Sequence, residues 1–389
     1  MIKRTRHIKE VTRLLRNFQV VSILGARQVG KTTLARQVAG AHRGPVTFFD
    51  LEDHIDAELL KDPMFAMLEL KGLVILDEIQ QQPDLYKAIR VLADRPDSKT
   101  KFIILGSTSP RLIRQSTESL AGRVAHFELP GLSQDEVPTA KMEKLWVRGQ
   151  FPRSLLPRNE KDSWEWRENL VRTYLERDLP ALGIQIRPEV LRRFWAMLAH
   201  YHGQIWNASE FGRSFGVTDS TVSNYLDILA STFVVRRLQP FRENLSKRQV
   251  KSPKIYISDS GLLHTLLDIK SIDQLRRHPK VGASWEGFAM DAVIQHLKAN
   301  SWECYFWATH AGAELDLLVV KGDYRWGFEF KYGSYAAVTK SMHIAMEDLK
   351  LNRLDVIHAG ADAYPMAKGI NAVPLSELHD VLKIPRGFR

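Results

Sequence analysis

Residues Val20–Ala39 read VVSILGARQVGKTTLARQVA, and within them Gly25-Ala-Arg-Gln-Val-Gly30-Lys31-Thr32 is a complete G-x-x-x-x-G-K-T phosphate loop. Val20–Leu24 is a short apolar run with the character of a strand, and Lys31–Ala39 has the composition of a helix. A loop between the two points backbone N–H groups and the positive end of a helix dipole at a polyphosphate. Gly25 and Gly30 admit the phosphates without a Cβ clash, Lys31 reaches the β- and γ-oxygens, and the Thr32 hydroxyl is placed for Mg²⁺. Arg27, Gln28, Val29 and Thr33 complete the expected cradle. The reading at this point is a site for ATP or GTP.

Further apolar runs follow at the spacing of an alternating α/β domain. Val46–Phe49 precedes Asp50 and Glu52, and Leu73-Val-Ile-Leu76 leads directly into Asp77-Glu78. An acid at that strand end holds a metal shell, which is the role expected of Asp77, and the acid beside it orients and deprotonates water, the role expected of Glu78. Lys101–Leu105 ends in Gly106-Ser107-Thr108, where Ser107 reads either as a γ-phosphate sensor or as a helix N-cap. Arg123 precedes a fifth strand-like run, Val124–Leu129, and reads either as a finger toward a neighbour's γ-phosphate or as a solvated arginine. Strands alternating with helices imply a parallel sheet covered on both faces.

A chain of 389 residues exceeds one ordinary domain. Hydrophobic residues are 44% and charged residues 26%, a globular composition. The one cysteine, Cys304, excludes an internal disulfide framework. No apolar run approaches the ~20 residues needed to cross a bilayer, and MIKRTRHIKE lacks the apolar core of a signal peptide. The expectation is a cytoplasmic protein with no membrane association. Its net charge of +10 favours a polyanionic partner, nucleic acid above all.

Residues 151–188 read as a helical lid, within which Arg172 and Arg177 are either phosphate sensors or the solvated face of a helix. Residues 189–262 read as a winged helix-turn-helix: helices over Leu191–His200, Ala208–Phe215 and Asp219–Leu229, then strand-like Phe233–Leu238 and Ile255–Ile257. Between Arg236 and Lys254 stand seven basic residues and one acid, a local net of +6. Arg236, Arg237, Arg242, Lys247 and Arg248 are the expected phosphate contacts of a duplex or branched DNA. The rival reading is a winged helix that only packs.

Residues 275–389 read as a nuclease-like domain. A helix from Trp285 carries Glu286 in its first turn, Asp316 lies in Ala313–Val320, and Glu329-Phe-Lys331 follows across a turn at Gly322-Asp323. Strand alternation puts Glu329 and Lys331 on one face. Glu286, Asp316, Glu329 and Lys331 in this order form a PD-(D/E)XK arrangement, which binds Mg²⁺ and hydrolyses phosphodiesters; the rival is a domain that keeps the fold alone.

The segments GARQVGKTTLARQV, LVILDEIQQQPDLYKAIRVLAD, FIILGSTSPRLI, ESLAGRV, GQFP, SPKIYISDSGLL, WEGFAMDAVIQHL and AELDLLVV…GFEFKYG resemble, in order, a large prokaryotic family. Its members pair an AAA+-type P-loop ATPase with a C-terminal domain called DUF4143. The resemblance implies ATP rather than GTP, a homo-oligomer through the AAA+ domain, Arg123 as the arginine finger acting in trans, and a restriction-endonuclease-like C-terminal core. Gly149-Gln-Phe-Pro152 is similar to the Gly-x-Pro element of related signalling ATPases, with one residue more. The combined expectation is a multidomain α/β protein with the ATPase domain at 1–150. It is an ATP hydrolase that couples turnover to DNA binding, translocation or metal-dependent cleavage. The alternative is a slow nucleotide-operated switch with non-catalytic downstream modules.

Overall fold

A computed structural model describes residues 2–96, 99–106, 120–242, 249–385 and 388. They form two compact units, 1–131 with 231–233, and 132–230 with 234–389.

The first unit is built on five parallel strands, β1 (Val20–Leu24), β2 (Val46–Asp50), β3 (Gly72–Asp77), β4 (Thr100–Leu105) and β5 (Val124–Glu128), in the order β2-β3-β4-β1-β5. Helices α1 (Thr5–Asn17), α2 (Lys31–Ala41) and α3 (Leu85–Ala93) belong to the same unit. Central strands of such a sheet are covered on both faces, so they read as unbroken apolar runs instead of alternating. Leu73, Val74, Ile75 and Leu76 are accordingly all fully buried, as are Phe102, Ile103 and Leu105. On α3, Leu85, Ile89 and Leu92 recur at helical spacing and pack with Val74, Leu76, Phe102 and Ile104. The parallel register carries the carboxyl ends of β1, β3 and β4 to one edge, where ligands of open α/β sheets bind.

The second unit contains helices α4 (Met142–Arg148), α5 (Glu160–Thr173), α6 (Pro188–His200), α7 (Ala208–Phe215), α8 (Asp219–Ser231), α9 (Ser260–Leu266), α10 (Val281–Leu297) and α11 (Lys340–Asp348). Its strands are β6 (Gln204–Ile205), β7 (Val235–Pro240), β8 (Lys254–Ile257), β9 (Cys304–Ala308), β10 (Glu314–Lys321), β11 (Tyr324–Lys331), β12 (Arg353–His358), β13 (Tyr364–Ala367) and β14 (Ile370–Pro374). They form one mixed sheet in the order β13-β14-β12-β11-β10-β9-β7-β8-β6. Helix α10 buries residues nearly all round, from Ser284 and Trp285 to Ala292 and Val293, as a core helix does.

Two expected boundaries move. The first unit ends at Gly131 and not at 150, because the residues between belong to the second unit's interior. Leu132 N–H donates to Gln150 O at 2.8 Å, and Trp146 on α4 packs against Trp285, Phe288 and Tyr332. The segments expected as separate domains, 189–262 and 275–389, also share a sheet. Strand β7 pairs in parallel with β9 through Gln239↔Tyr305 and Pro240↔Phe306, which closes an edge that would otherwise stay open.

The Gly149–Pro152 element is a joint of this second unit. Gly149 sits at φ +79°, and a Cβ there would come 2.2 Å from Asp259 Oδ1. Gln150 N–H donates to Asp259 Oδ2 at 2.6 Å, and the Gln150 side-chain amide donates to Asp291 Oδ2 at 2.7 Å. Burial pushes the Asp259 carboxyl up to about 6. Pro152 opens a short helix, Pro152–Leu155, at the position where its missing N–H costs nothing.

Candidate active site

The phosphate loop is assembled where β1 gives way to α2. Gly25 adopts φ +146°, and a Cβ there would meet Leu129 O at 2.6 Å, so the loop closes against the chain after β5 only with glycine. Gln28 takes φ +62°, a left-handed conformation that costs a non-glycine residue roughly 1–2 kcal/mol. Gly30 then caps α2, whose first backbone N–H groups have no partner within the helix. Lys31 is buried, and its Nζ donates to Gly25 O at 3.0 Å and Ala26 O at 3.1 Å. Burial pulls its ammonium down to about 8, against the opposing pull of Glu78 and Asp77. Arg27, Val29 and Thr33 lie in or beside the same turn, Val29 N–H closing it on Ala26 O.

The two halves of the motif meet. Thr32 Oγ1 donates to Asp77 Oδ2 at 2.7 Å across 45 residues of sequence. Asp77 ends β3, is buried, and has its carboxyl raised by that burial, with the Thr32 bond pulling the other way. Glu78 follows at φ +52°, a second left-handed residue, and its own N–H donates to Asp77 Oδ1 at 3.0 Å. The turn swings Glu78 out of the strand, leaving one carboxylate buried and its neighbour half-buried. The Gln80 side-chain amide donates to Glu78 Oε2. Gly106 makes room for it, since a Cβ there would lie 2.6 Å from Gln80 Oε1. Sequence reading missed Gln80, although its place two residues after Glu78 was a usable signal. Ser107 lies outside the described residues.

Arg123 is at the surface of the same unit, in a two-point ion pair with Asp94, Nη2 to Oδ2 at 2.7 Å. Its Nη1 also donates to Ala121 O at 2.8 Å. The expected finger is therefore latched within its own chain, by an exposed pair that water and salt weaken.

In the second unit, Glu286, Asp316, Glu329 and Lys331 do come together, with three residues the sequence reading left out. Lys254 Nζ, its side chain 5% exposed, lies 3.7 Å from both Glu286 Oε1 and Asp316 Oδ1 and pairs with Glu314 Oε1. Tyr256 OH donates to Glu286 Oε1 at 2.6 Å. Phe330 N–H donates to Asp316 Oδ2 at 3.1 Å, and Lys331 Nζ donates to Glu329 Oε2 at 2.8 Å. Burial raises Glu286 to about 7 and Glu329 to about 8, with Asp316 adding repulsion to each. Burial would lower Lys254, but Glu286, Asp316 and Glu314 override it and raise its ammonium. Every carboxylate of the cluster thus has a donor, and no group of three or more His, Cys, Asp or Glu among the described residues is placed to hold a metal. The residues do not fit the Mg²⁺ centre that the PD-(D/E)XK order predicted. Glu286 is also not in its helix's first turn, because α10 starts at Val281.

The expected DNA contacts divide. Arg236 Nη2 is bound to Asp291 Oδ1 at 2.6 Å, Asp291 being buried on α10, so that charge is spent inside the unit. Arg237 pairs with Asp227. Arg242 is exposed, with Nη2 donating to Lys251 O at 3.4 Å, and Lys251 is exposed too. Lys247 and Arg248 lie outside the described residues.

Residues 17–138 match the family described as AAA domain, residues 139–273 a domain of unknown function, DUF8612, and residues 281–378 a domain of unknown function, DUF4143. Uncharacterized proteins of Mycobacterium tuberculosis and Mycobacterium bovis are each 44% identical over 378 residues, 97% of this chain and 85% of theirs. The chain belongs to the AAA/DUF4143 family of P-loop ATPases. Among solved structures, the Walker-type ATPase PABY2304 of Pyrococcus abyssi is similar in fold. Its TM-score is 0.50 at 15% identity, covering 69% of this chain and 96% of that one. The AAA/DUF4143 membership and the Walker-type fold support nucleotide binding and ATP hydrolysis in the first unit. Among the described residues no helix is long and apolar enough to cross a membrane.

Proposed function

We propose that the chain is a Mg²⁺-dependent ATP hydrolase working as a nucleotide-operated switch, whose downstream unit responds to the state of the P-loop site. The observation that carries it is the meeting of Thr32 Oγ1 with Asp77 Oδ2 at 2.7 Å, with Glu78 beside them. A hydroxyl and a carboxylate are the hard oxygen donors that suit Mg²⁺, and Mg²⁺ bound there supplies charge neutralisation for the β- and γ-phosphates. Lys31, freed from Gly25 O and Ala26 O, binds phosphate oxygens. Glu78, held by the Gln80 amide, orients the attacking water and takes its proton. Arg123 completes the site of a neighbouring copy after leaving Asp94, so the working form is a homo-oligomer.

The switch is favoured over a DNA-driven motor because the basic stretch is partly spent internally. Arg236 neutralises the buried Asp291 and Lys254 is buried among carboxylates, while Arg237 is held only by an exposed pair with Asp227. A second reading, DNA as the partner of the second unit, draws on exposed Arg242 and Lys251 and on the net charge of +10. ATPase rate measured with and without single-stranded, duplex and branched DNA separates the two. The switch predicts turnover indifferent to all three. Stimulation that fades with added salt favours the DNA-coupled reading and overturns the indifferent switch.

A further inference from the structure

Strand β8 enters the C-terminal cluster with a cation of its own. Lys254 is the first residue of β8, and its ammonium lies over the Phe306 ring at 5.6 Å from the centroid. From there it faces Glu286 of α10 and both Glu314 and Asp316 of β10. Two residues along the same strand, so on the same face, Tyr256 OH donates to Glu286. One strand thus supplies both an ammonium and a hydroxyl to acids that come from two other elements.

We propose that Lys254 Nζ is a tethered replacement for the divalent cation of a nuclease-type centre. It closes the C-terminal cluster to metal and fastens β8 to α10 and β10. A divalent ion in such a pocket draws its binding energy from uncompensated carboxylates. Here an ammonium tethered to its own strand already stands among three of them and offsets part of their charge, and an ion arriving from solution must displace it. The second consequence is mechanical. The Lys254 contacts, the Arg236–Asp291 pair and the β7–β9 pairing join the 204–257 segment to the C-terminal half at three separate points. The residues named like a nuclease centre then act as a joint in the second unit. This inference goes beyond the ATPase reading and does not depend on it.

The test is Mn²⁺ binding to the full chain without nucleotide, read by electron paramagnetic resonance. The variants are Lys254→Met, which keeps the side chain's bulk, Lys254→Met with Glu314→Gln, and Asp316→Asn. Wild type is expected to bind no Mn²⁺ that Asp316→Asn removes. Lys254→Met is expected to gain one Mn²⁺ per chain, lost again on adding Glu314→Gln. A wild-type Mn²⁺ abolished by Asp316→Asn overturns the proposal, as does a Lys254→Met protein with native near-ultraviolet circular dichroism that gains none. Should Lys254→Met not fold, the wild-type comparison with Asp316→Asn decides alone. Failure of the ATPase reading appears elsewhere, as loss of turnover with this Mn²⁺ pattern unchanged.

Discussion

The Thr32 hydroxyl donates to the Asp77 carboxylate at 2.7 Å, joining the start of the helix after the phosphate loop to the end of the third strand. In the proposed mechanism this pair is where a cation between ATP and the protein would be held. Thr32→Val removes the hydroxyl at nearly constant volume. Wild type is expected to bind ATP more tightly with Mg²⁺ than without, and Thr32→Val to lose most of that difference. Calorimetric titration with ATP, with Mg²⁺ and with chelator, measures it; an unchanged Mg²⁺ dependence removes Thr32 from the cation's shell.

Lys31 couples nucleotide binding to protons. Burial holds its ammonium at about 8 in the free site, below the ordinary value near 10.5. Polyphosphate brings negative charge and raises it again. At pH 8 to 8.5 part of the free protein is neutral at Lys31, so ATP binding is expected to take up protons, and the uptake to fade toward pH 6.5. Titrations in buffers of different ionisation enthalpy read the uptake directly. Lys31→Ala is expected to abolish it and to weaken ATP by about 10–100-fold, the worth of a charged hydrogen bond. Release of protons, or none, contradicts the role given to Lys31.

The Gly149 joint is a stability prediction. Gly149→Ala meets both the left-handed backbone and Asp259 Oδ1 at 2.2 Å, and a cost of about 2–4 kcal/mol is expected. Asp259 adds a pH signature. Its folded value of about 6 lies above the unfolded 3.8, so the folded state binds more protons between them. Its contribution to stability therefore falls as pH rises from about 4 to about 6. Denaturant melts of wild type and Asp259→Asn across that range check the sign, since the substitution is expected to flatten this component.

Arg123 and Glu78 can be separated by mixing. If Arg123 completes a neighbour's site, Arg123→Ala and Glu78→Gln are each inactive alone. Combined, they restore part of the ATPase, because a protomer with intact Glu78 receives the finger of one with intact Arg123. Activity that stays absent in the mixture, with co-assembly shown by cross-linking, places Arg123 outside the shared site.

The ATPase unit was the legible part of the chain. Central parallel strands are apolar on both faces, so Leu73–Leu76 and Lys101–Leu105 announce themselves as runs, and the phosphate loop fixes the frame. The C-terminal site was half legible. Glu329 and Lys331 share a strand face, which alternation makes legible, and the order of Glu286, Asp316, Glu329 and Lys331 suggested that they meet, but not the cation that meets them. Lys254 was not legible, because its partners lie 32 to 62 residues along the chain and spacing carries no record of such encounters. Its charge was instead counted toward a DNA-facing surface, as was that of Arg236. The same blindness to long-range packing misplaced the first boundary, since nothing local in the helix at Met142–Arg148 tells which unit its Trp146 will enter.

Glu78→Gln tests the central claim most directly, in a single preparation measured for ATP binding and for phosphate release. The substitution keeps the shape and the neighbour Gln80 while removing the base. The account predicts ATP bound as tightly as by wild type, with hydrolysis slowed roughly 10²–10⁴-fold. Phosphate release at the wild-type rate from Glu78→Gln, or a wild-type protein that binds Mg²⁺-ATP and never hydrolyses it, would contradict it.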